Sequence, residues 1–230
     1  MVRVTVETVP GHGALPAGAA AVIVDVLRAT STLSTALAHG AAAVLEALSP
    51  EEAFALKRRH PGALVCGERD GRKVPGFDLG NSPREYTPET VAGRTLIFAS
   101  TNGSVALRRA RGARRRIPAA FVNAGAVADA LVREREVVIV CAGKLGRFSL
   151  EDMLLAGWLC ARLEAHGAAL AGPAARLARA LAPRDAAEVL ALVQGSSHGR
   201  YLRSLGADFA ADVDDCGRLA TIGRAFELPG

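Results

Sequence analysis

An α/β fold, a three-layer α/β/α sandwich around a largely parallel or mixed sheet, is predicted by three features of this 230-residue chain. Short apolar runs alternate with amphipathic stretches over roughly the first 165 residues, the pattern of repeated strand–helix units. The two most apolar runs, 19–27 and 137–142, lack polar alternation, so their strands are expected to be buried on both faces, as in parallel sheets. Beyond Gly172 the pattern is helical only. No linker or composition break divides the chain, so one domain is expected, with an α/β core over 1–167 and a mainly helical cover over 168–230.

Val2 to Val9 alternates apolar and polar residues at period two and predicts a half-buried strand. Ala19 to Leu27 predicts the buried strand, and Arg28-Ala-Thr-Ser-Thr32 then opens a helix to about His39, closed by Gly40. Ala42 to Leu48 is a short strand. Ser49-Pro-Glu-Glu52 starts the next helix, with Ser49 as N-cap, Pro50 at the first helical position and Glu52 completing a capping box. Leu64 to Cys66 is a strand, and Glu68 follows it closely. From Gly67 to Pro83 the chain crowds four glycines, two prolines and both signs of charge, which predicts a long irregular loop and, by its length, a functional one. Thr95 to Ala99 is a strand running into Ser100-Thr-Asn-Gly-Ser104, with a helix from about Ser104. Ala119 to Val122 predicts a strand ending at Asn123, and Val137 to Ala142 another, followed by Gly143-Lys-Leu-Gly-Arg-Phe-Ser149. Leu150 to Ala165 is an apolar helix carrying Trp158. Helical patterns then cover Ala174 to Leu181, Arg184 to Val193 and Ser197 to Leu205.

The bulk properties exclude several classes. No apolar run reaches the ~18 residues of a membrane span, because Asp25 interrupts the best candidate. The chain starts in a strand pattern with no signal-peptide core, and its four cysteines are far apart with no Cys-x-x-Cys pair. A cytoplasmic, disulfide-free and zinc-free protein without a membrane partner is expected. The net charge of +5 permits a nucleic-acid partner, and Arg108, Arg109, Arg111, Arg114, Arg115 and Arg116 form the densest basic cluster. No aromatic residue lies within it to stack on bases, so a solvated helix end and loop is the preferred reading, with no nucleic-acid partner. Lysine occurs only at Lys57, Lys73 and Lys144 in an arginine-rich chain, which hints that the latter two positions need a compact ammonium. The oligomeric state is not set; a homodimer is allowed.

In open parallel sheets ligands bind beyond the carboxyl ends of the strands. Here those exits carry Asp25, Glu68, Ser100-Thr101-Asn102, Asn123 and Gly143. Asp25 follows Val-Ile-Val, where a carboxylate is costly without a partner, and either Arg28 or a divalent cation fits that need. Phosphatases that form an aspartyl-phosphate place a second Asp two residues on; Leu27 stands there, so metal binding is favoured over nucleophilic attack. Thr30 to Thr32, the Asn102-Gly103-Ser104 turn and the Gly143–Ser149 segment with Lys144 and Arg147 read equally as anion sites and as ordinary helix starts. Ser149-Leu-Glu-Asp152 is a capping motif whose Glu151 and Asp152 are also candidate ligands. His198 reads as a surface residue or as a proton carrier in a cap over the site. No phosphate-binding Gly-x-x-x-x-Gly-Lys loop, Gly-x-Ser-x-Gly elbow or spaced His/Cys metal set is present.

Taken together, Val24–Thr32, Gly67-Glu-Arg69 through Gly76–Pro83, Ser100–Ser104, Cys141-Ala-Gly143 and Phe148–Asp152 resemble the 2-phosphosulfolactate phosphatase family, in order and over nearly the whole chain; Ser197 to Leu205 and the Asp212 region are similar too. That resemblance implies an α/β/α sandwich and Mg²⁺-dependent hydrolysis of 2-phospho-3-sulfolactate to 3-sulfolactate and phosphate, a step toward coenzyme M. Another phosphorylated hydroxy acid as substrate, a non-enzymatic anion-binding protein and an RNA-binding protein remain the alternatives. Under the phosphatase reading Asp25 and Glu68 are the first-choice metal ligands, with Asp78, Glu151 and Asp152 behind them. Asp25, Glu68 and Asp152 are the catalytic candidates. Arg28, Lys73, Lys144 and Arg147 would neutralise the substrate, helped by Thr30, Thr101, Asn102, Gly103 and the loop end at Asn81 and Ser82.

Overall fold

The computed structural model describes residues 1–229. Strands β1 (Arg3–Glu7) and β2 (Ala20–Val24) lead into helix α1 (Ala29–Ala38), and β3 (Ala43–Ala47) into α2 (Pro50–Arg59). Strand β4 (Leu64–Arg69) turns back as β5 (Arg72–Lys73), and the short α3 (Pro88–Val91) precedes β6 (Thr95–Ala99) and α4 (Gly103–Arg109). Then follow β7 (Arg115–Ala119), α5 (Ala124–Leu131), β8 (Glu136–Cys141), α6 (Leu150–Ala165) and the short β9 (Ala169–Leu170). Helices α7 (Pro173–Ala180), α8 (Ala186–Gly195), α9 (Ser197–Ser204) and α10 (Ala207–Cys216) complete the described chain. The Ser49 cap on α2 forms as expected, its side chain accepting from Glu52 N–H, but the Glu52 carboxylate accepts from Leu48 N–H at 2.7 Å, one residue before the cap, so the expected capping box is not closed on Ser49 itself.

The strands form two sheets, where the sequence predicts one. The first is parallel throughout, in the order β7-β2-β8-β1-β9, and the second has the order β3-β6-β4-β5, parallel except for β5. Side-chain parity explains why both are needed. Val22 and Val24 of β2 and Val137 and Ile139 of β8 face a core shared with α5 and α6. Their neighbours Ala21, Ile23, Val138 and Val140 point the other way, onto α1 and α4. Those helices also carry Val44, Cys66, Leu96 and Phe98 of the second sheet on their far side. The alternate residues Val65, Ile97 and Ala99 pack with Ala53 of α2 in a third, smaller core. Each sheet therefore lies between helices, and α1 and α4 are the layer common to both. Each apolar strand is buried on both faces, as a continuous apolar run demands.

Three expectations are corrected. The strand predicted at 119–122 lies at Arg115–Ala119, inside the basic cluster, and Phe121–Asn123 is a 3₁₀ turn. Two arginines hide this strand's apolar pattern, and Pro118 is tolerated because β7 is an edge strand. Nor is the cluster a solvated loop. Arg116 is only 3% exposed, with its guanidinium 3.3 Å from Glu46 of β3 and donating to Leu107 C=O at 2.9 Å. Arg111 also donates to Glu46, Arg109 pairs with Glu7, Arg108 with Glu52, and Arg114 and Arg115 with Glu134. Third, the 67–83 segment begins as a hairpin, not as irregular loop. Asp70 and Gly71 have φ of 53° and 80°, the left-handed pair that a two-residue hairpin turn prefers, with Asp-Gly its usual sequence. Gly67 in the same strand has φ of 128°, and a Cβ there would lie 1.9 Å from Ala99 C=O.

Among the described residues no helix is long and apolar enough to cross a membrane. The four cysteines are unpaired and buried, and burial pushes the thiols of Cys66, Cys160 and Cys216 up to about 12. The folded protein should therefore leave all four thiols unmodified by a thiol-specific chromogenic disulfide at pH 8, with rapid modification only after denaturation; one fast equivalent in the native state would contradict this burial. Glu46→Ala strands a buried guanidinium between the two sheets and should cost about 3–5 kcal/mol in urea unfolding. A loss below ~1 kcal/mol would show that the sheets do not depend on this pair.

Candidate active site

The carboxyl ends of β2 and β8 in one sheet and of β4 and β6 in the other meet around a cavity of about 280 Å³. Asp25 enters it from β2, Glu68 from β4, Thr101 and Asn102 from the β6–α4 connection and Lys144 from the β8–α6 connection. The hairpin tip at Asp70 and Gly71 and, from the cover, His198, Tyr201 and Leu202 of α9 complete the wall.

Asp25 is 6% exposed. Its backbone is pinned by Thr30, whose hydroxyl donates to Asp25 C=O at 2.9 Å and accepts from Asp25 N–H at 3.0 Å. Its carboxylate accepts one weak bond, from Ala29 N–H at 3.3 Å. Burial, and then the neighbouring Glu68 carboxylate, push its pKa up from 3.8 to about 7, against the smaller pull of Ala29 N–H and Arg28. Gly103 makes room for this group: a Cβ there would lie 2.4 Å from Ala29 Cβ and 2.7 Å from Asp25 Oδ2. Thr30 and Gly103 thus act by placing Asp25. Arg28 is not the partner of Asp25. Its buried guanidinium pairs with Asp212 of α10, donates to Gly71 C=O at 2.6 Å and lies over Phe209 at 5.1 Å.

Two carboxylates hold the strand ends in register. Glu68 accepts from Gly71 N–H and from Thr101 N–H, both at 2.7 Å, and so ties the hairpin turn to the end of β6. Asp152 does the same in the other sheet, accepting from Val26 N–H at 2.9 Å and Gly143 N–H at 3.0 Å. Burial, then Asp25 and Glu151, raise the Asp152 carboxyl well above the usual range. Both carboxylates clamp backbone donors, but Glu68 also lines the cavity whereas Asp152 does not, so Asp152 is a positioning residue. Ser149 caps α6 by accepting from Asp152 N–H, as the sequence predicts, but the Asp152 carboxylate reaches the strand ends and does not close a capping box.

Lys144 reaches the cavity with Nζ 4.6 Å over the Tyr201 ring. Burial lowers its pKa, partly offset by Glu151 and Glu68. Asn81 Oδ1 and Thr101 Oγ1 are buried with no hydrogen-bond partner among the described residues. Both residues line the cavity, so these are acceptor and hydroxyl positions left for a ligand or its water. Asn102 is committed to the loop, accepting from Leu145 N–H at 2.8 Å.

Other candidates lie elsewhere. Lys73 and Ser82 line an adjoining cavity of about 530 Å³ that shares Arg28, Gly71 and Asn81 with the first. Ser82 donates to Asp212 at 2.6 Å. Asp78 is exposed, and its carboxylate accepts from Val65 N–H at 2.8 Å near the opposite end of β4, which makes it a loop anchor far along the strand from Glu68. Arg147 is exposed at a turn, bonded to Lys144 through the backbone, and lines neither cavity. Glu151 is buried at the start of α6 with Oε1 3.3 Å from His198 Nδ1. Burial is the largest influence and raises its carboxyl, but the hydrogen bonds from His198, its own backbone and Ser196, with the His198 charge, together outweigh it, so it sits below its usual value.

The sequence reading leaves His198 undecided and does not select Tyr201. Both lie on one face of α9, three residues apart. That spacing was visible, but nothing in it says which face of a C-terminal helix meets the strand ends. Among the described residues no three His, Cys, Asp or Glu side chains converge in metal-ligating geometry. The cavity offers instead the carboxylate oxygens of Asp25 and Glu68. Such a donor set suits Mg²⁺, which takes oxygen ligands, keeps several waters and needs only one or two carboxylates.

Asp152→Asn replaces an acceptor with an amide donor facing a backbone N–H, and should destabilise the fold by about 1–3 kcal/mol in urea unfolding. Unchanged stability would mean that the strand ends do not need both acceptors.

The family model of 2-phosphosulpholactate phosphatase matches residues 4–226. A probable 2-phosphosulfolactate phosphatase of Thermotoga petrophila is 44% identical, over 85% of this chain and 83% of its own. One of Symbiobacterium thermophilum is 44% identical over 90% and 89%, and one of a Synechococcus species 40% identical over 98% and 95%. The matched span includes every strand end that forms the cavity, and on that ground the chain belongs to the 2-phosphosulfolactate phosphatase family, a family of phosphoric monoester hydrolases.

Proposed function

We propose that this protein is a cytosolic, Mg²⁺-dependent phosphatase that hydrolyses 2-phospho-3-sulfolactate to 3-sulfolactate and phosphate, in the direction of coenzyme M. The observation that carries the reading is the Asp25–Glu68 carboxylate pair beside Lys144 in one cavity. A phosphorylated sulfonated acid is strongly anionic, and it would be repelled by two carboxylates alone. A divalent cation held by Asp25 and Glu68 would remove that repulsion and relieve the burial and like charge that push Asp25 up to about 7. When bound, it would supply Lewis-acid polarisation of the phosphoryl group.

The protein's own groups orient the substrate. Lys144 offers a compact ammonium held by the Tyr201 face, which suits a phosphate or sulfonate oxygen. The unpartnered Asn81 and Thr101 side chains supply polar contacts to the ligand or to the attacking water. Arg28 stands between the two cavities and is held by Asp212, so it presents positive charge without swinging into the carboxylates. The hairpin tip and α9 close the wall and limit water, which strengthens each of these interactions. A phosphatase for another phosphorylated hydroxy acid would use the same carboxylate pair and lysine.

Phosphate release from a panel of phosphorylated hydroxy acids, with and without EDTA, tests the activity: metal-dependent release is expected, greatest for 2-phospho-3-sulfolactate. No metal-dependent turnover of any phosphoester would sink the reading. Asp25→Asn should lower turnover by at least ~1,000-fold, as expected where a charge-stabilising group is removed, with circular dichroism unchanged. Glu68→Gln should also lose turnover and, because it places an amide donor against a backbone N–H, about 1–3 kcal/mol of stability as well. Independently of activity, Mg²⁺ should raise the melting temperature of the wild type and leave that of Asp25→Asn unmoved. An equal shift in both would remove Asp25 from the metal site.

A further inference from the structure

We infer that His198 is the general acid that protonates the leaving alkoxide, with Glu151 as its positioning residue. This rests on the phosphatase reading and adds the proton donor which that reading lacks. His198 comes from the helical cover and lines the cavity that holds Asp25 and Glu68. Its Nδ1 lies 3.3 Å from Glu151 Oε1, and both side chains are largely buried, at 14% and 3% exposed. Nδ1 committed to a carboxylate leaves Nε2 as the ring nitrogen available to the cavity. A carboxylate on one nitrogen fixes the ring's orientation, so that Nε2 is the nitrogen placed to pass a proton to a bound leaving group.

The dyad is built, not incidental. Glu151 is buried at the first turn of α6 beside the Asp152 that joins the strand ends, so its position is tied to that of the strand exits. Ser196 caps α9 by accepting from Gly199 N–H at 2.9 Å. Gly199 sits where a Cβ would be 2.1 Å from Val193 C=O, which locks the start of α9 onto α8. Tyr201 packs one turn along with its ring 6.3 Å from the imidazole, and Lys144 Nζ lies 4.6 Å over that tyrosine ring. Tyr201, Lys144 and Glu151, with Asp25 and Glu68 across the cavity, are the charged and titratable neighbours of this ring.

In the step itself a water oxygen forms the new P–O bond while the P–O bond to the substrate carbon's oxygen breaks. The bonding electron pair leaves with that oxygen, which takes a proton from His198 Nε2 and departs as the hydroxyl of the product acid. The water's surplus proton, passed through solvent, restores the imidazolium, so the histidine is regenerated. Such catalysis matters most where the leaving alcohol is weakly acidic.

That dependence is the test. Phosphoesters of 2-hydroxy acids, graded in leaving-alcohol acidity by fluorine substitution at C3, are assayed with the wild type and His198→Gln. The wild type should show little dependence on leaving-alcohol acidity. His198→Gln should lose at least ~100-fold on phospholactate and less than ~10-fold on its trifluoro analogue, which leaves without help. Glu151→Gln should show the same trend with a smaller loss and little change in KM. An equal loss across the series, or no loss at all, in a His198→Gln protein that melts like the wild type overturns the assignment; if that variant melts lower, His198→Asn takes its place. A wild type inactive on every ester would instead count against the phosphatase reading, so the two failures are distinguishable.

Discussion

Backbone N–H groups at the ends of buried parallel strands have no further strand to bond and little water to reach, and they cannot be left unpaired. The structure meets this constraint with acidic side chains. Asp152 takes the N–H groups of Val26 and Gly143, and Glu68 takes those of Gly71 and Thr101. Each carboxylate joins two chain segments that are distant in sequence, one pair in each sheet. The cavity exists because these two clamps hold four strand exits in a fixed ring. Carboxylates suit the purpose because each has two oxygens that only accept. The same choice loads a buried site with negative charge, and that charge is what then calls for cations, Lys144 among them.

Charge is handled differently on the rest of the molecule. The arginines between Arg108 and Arg116 are paired with glutamates from β1, β3, α2 and the segment before β8. The Glu46–Arg116 pair, with both partners almost fully buried, crosses between the edge strands of the two sheets. Buried pairs of this kind add little net stability compared with apolar packing, but breaking one is costly, so they favour one relative placement of the sheets over others. The buried Arg28–Asp212 pair does a related job for the cover, bringing α10 against the hairpin and the wall of the cavity. Helices α9 and α10 are thus tied to the catalytic edge by polar contacts as well as by the apolar core.

Much of the fold was legible because its strands are apolar on both faces and its helices are capped by local rules. The buried strand before Asp25, the Ser49 cap and the helix over Leu150–Ala165 follow from residues adjacent in sequence. The strand at Arg115–Ala119 was not legible, because arginines at two of its positions are neutralised by partners that only the fold supplies. The hairpin at Asp70-Gly71 carried a readable turn signal that the surrounding glycines and prolines obscured. Of the acidic candidates, Asp25 and Glu68 share the cavity, whereas Asp78 anchors its loop and Asp152 clamps strand ends. Sequence could nominate Asp25 by its cost of burial and the others by their place in loops and caps, but not say which backbone donor or open space each would face.

The sequence by itself determined that this is an α/β protein whose polar strand exits converge on one edge, since apolar periodicity and strand-to-helix alternation are local properties. It also marked Asp25 as costly to bury, Glu68 as an acidic residue closing a strand, and Lys144 as one of only three lysines. Only the tertiary structure decided that there are two sheets with a shared helical layer. It alone placed Arg28 with Asp212 and not with Asp25, and His198 beside Glu151 inside the wall. The reason is physical. A side chain's cost of burial is written in its own chemistry, but its partner comes from wherever the packed chain brings an opposite charge or an unpaired donor within about 3 Å.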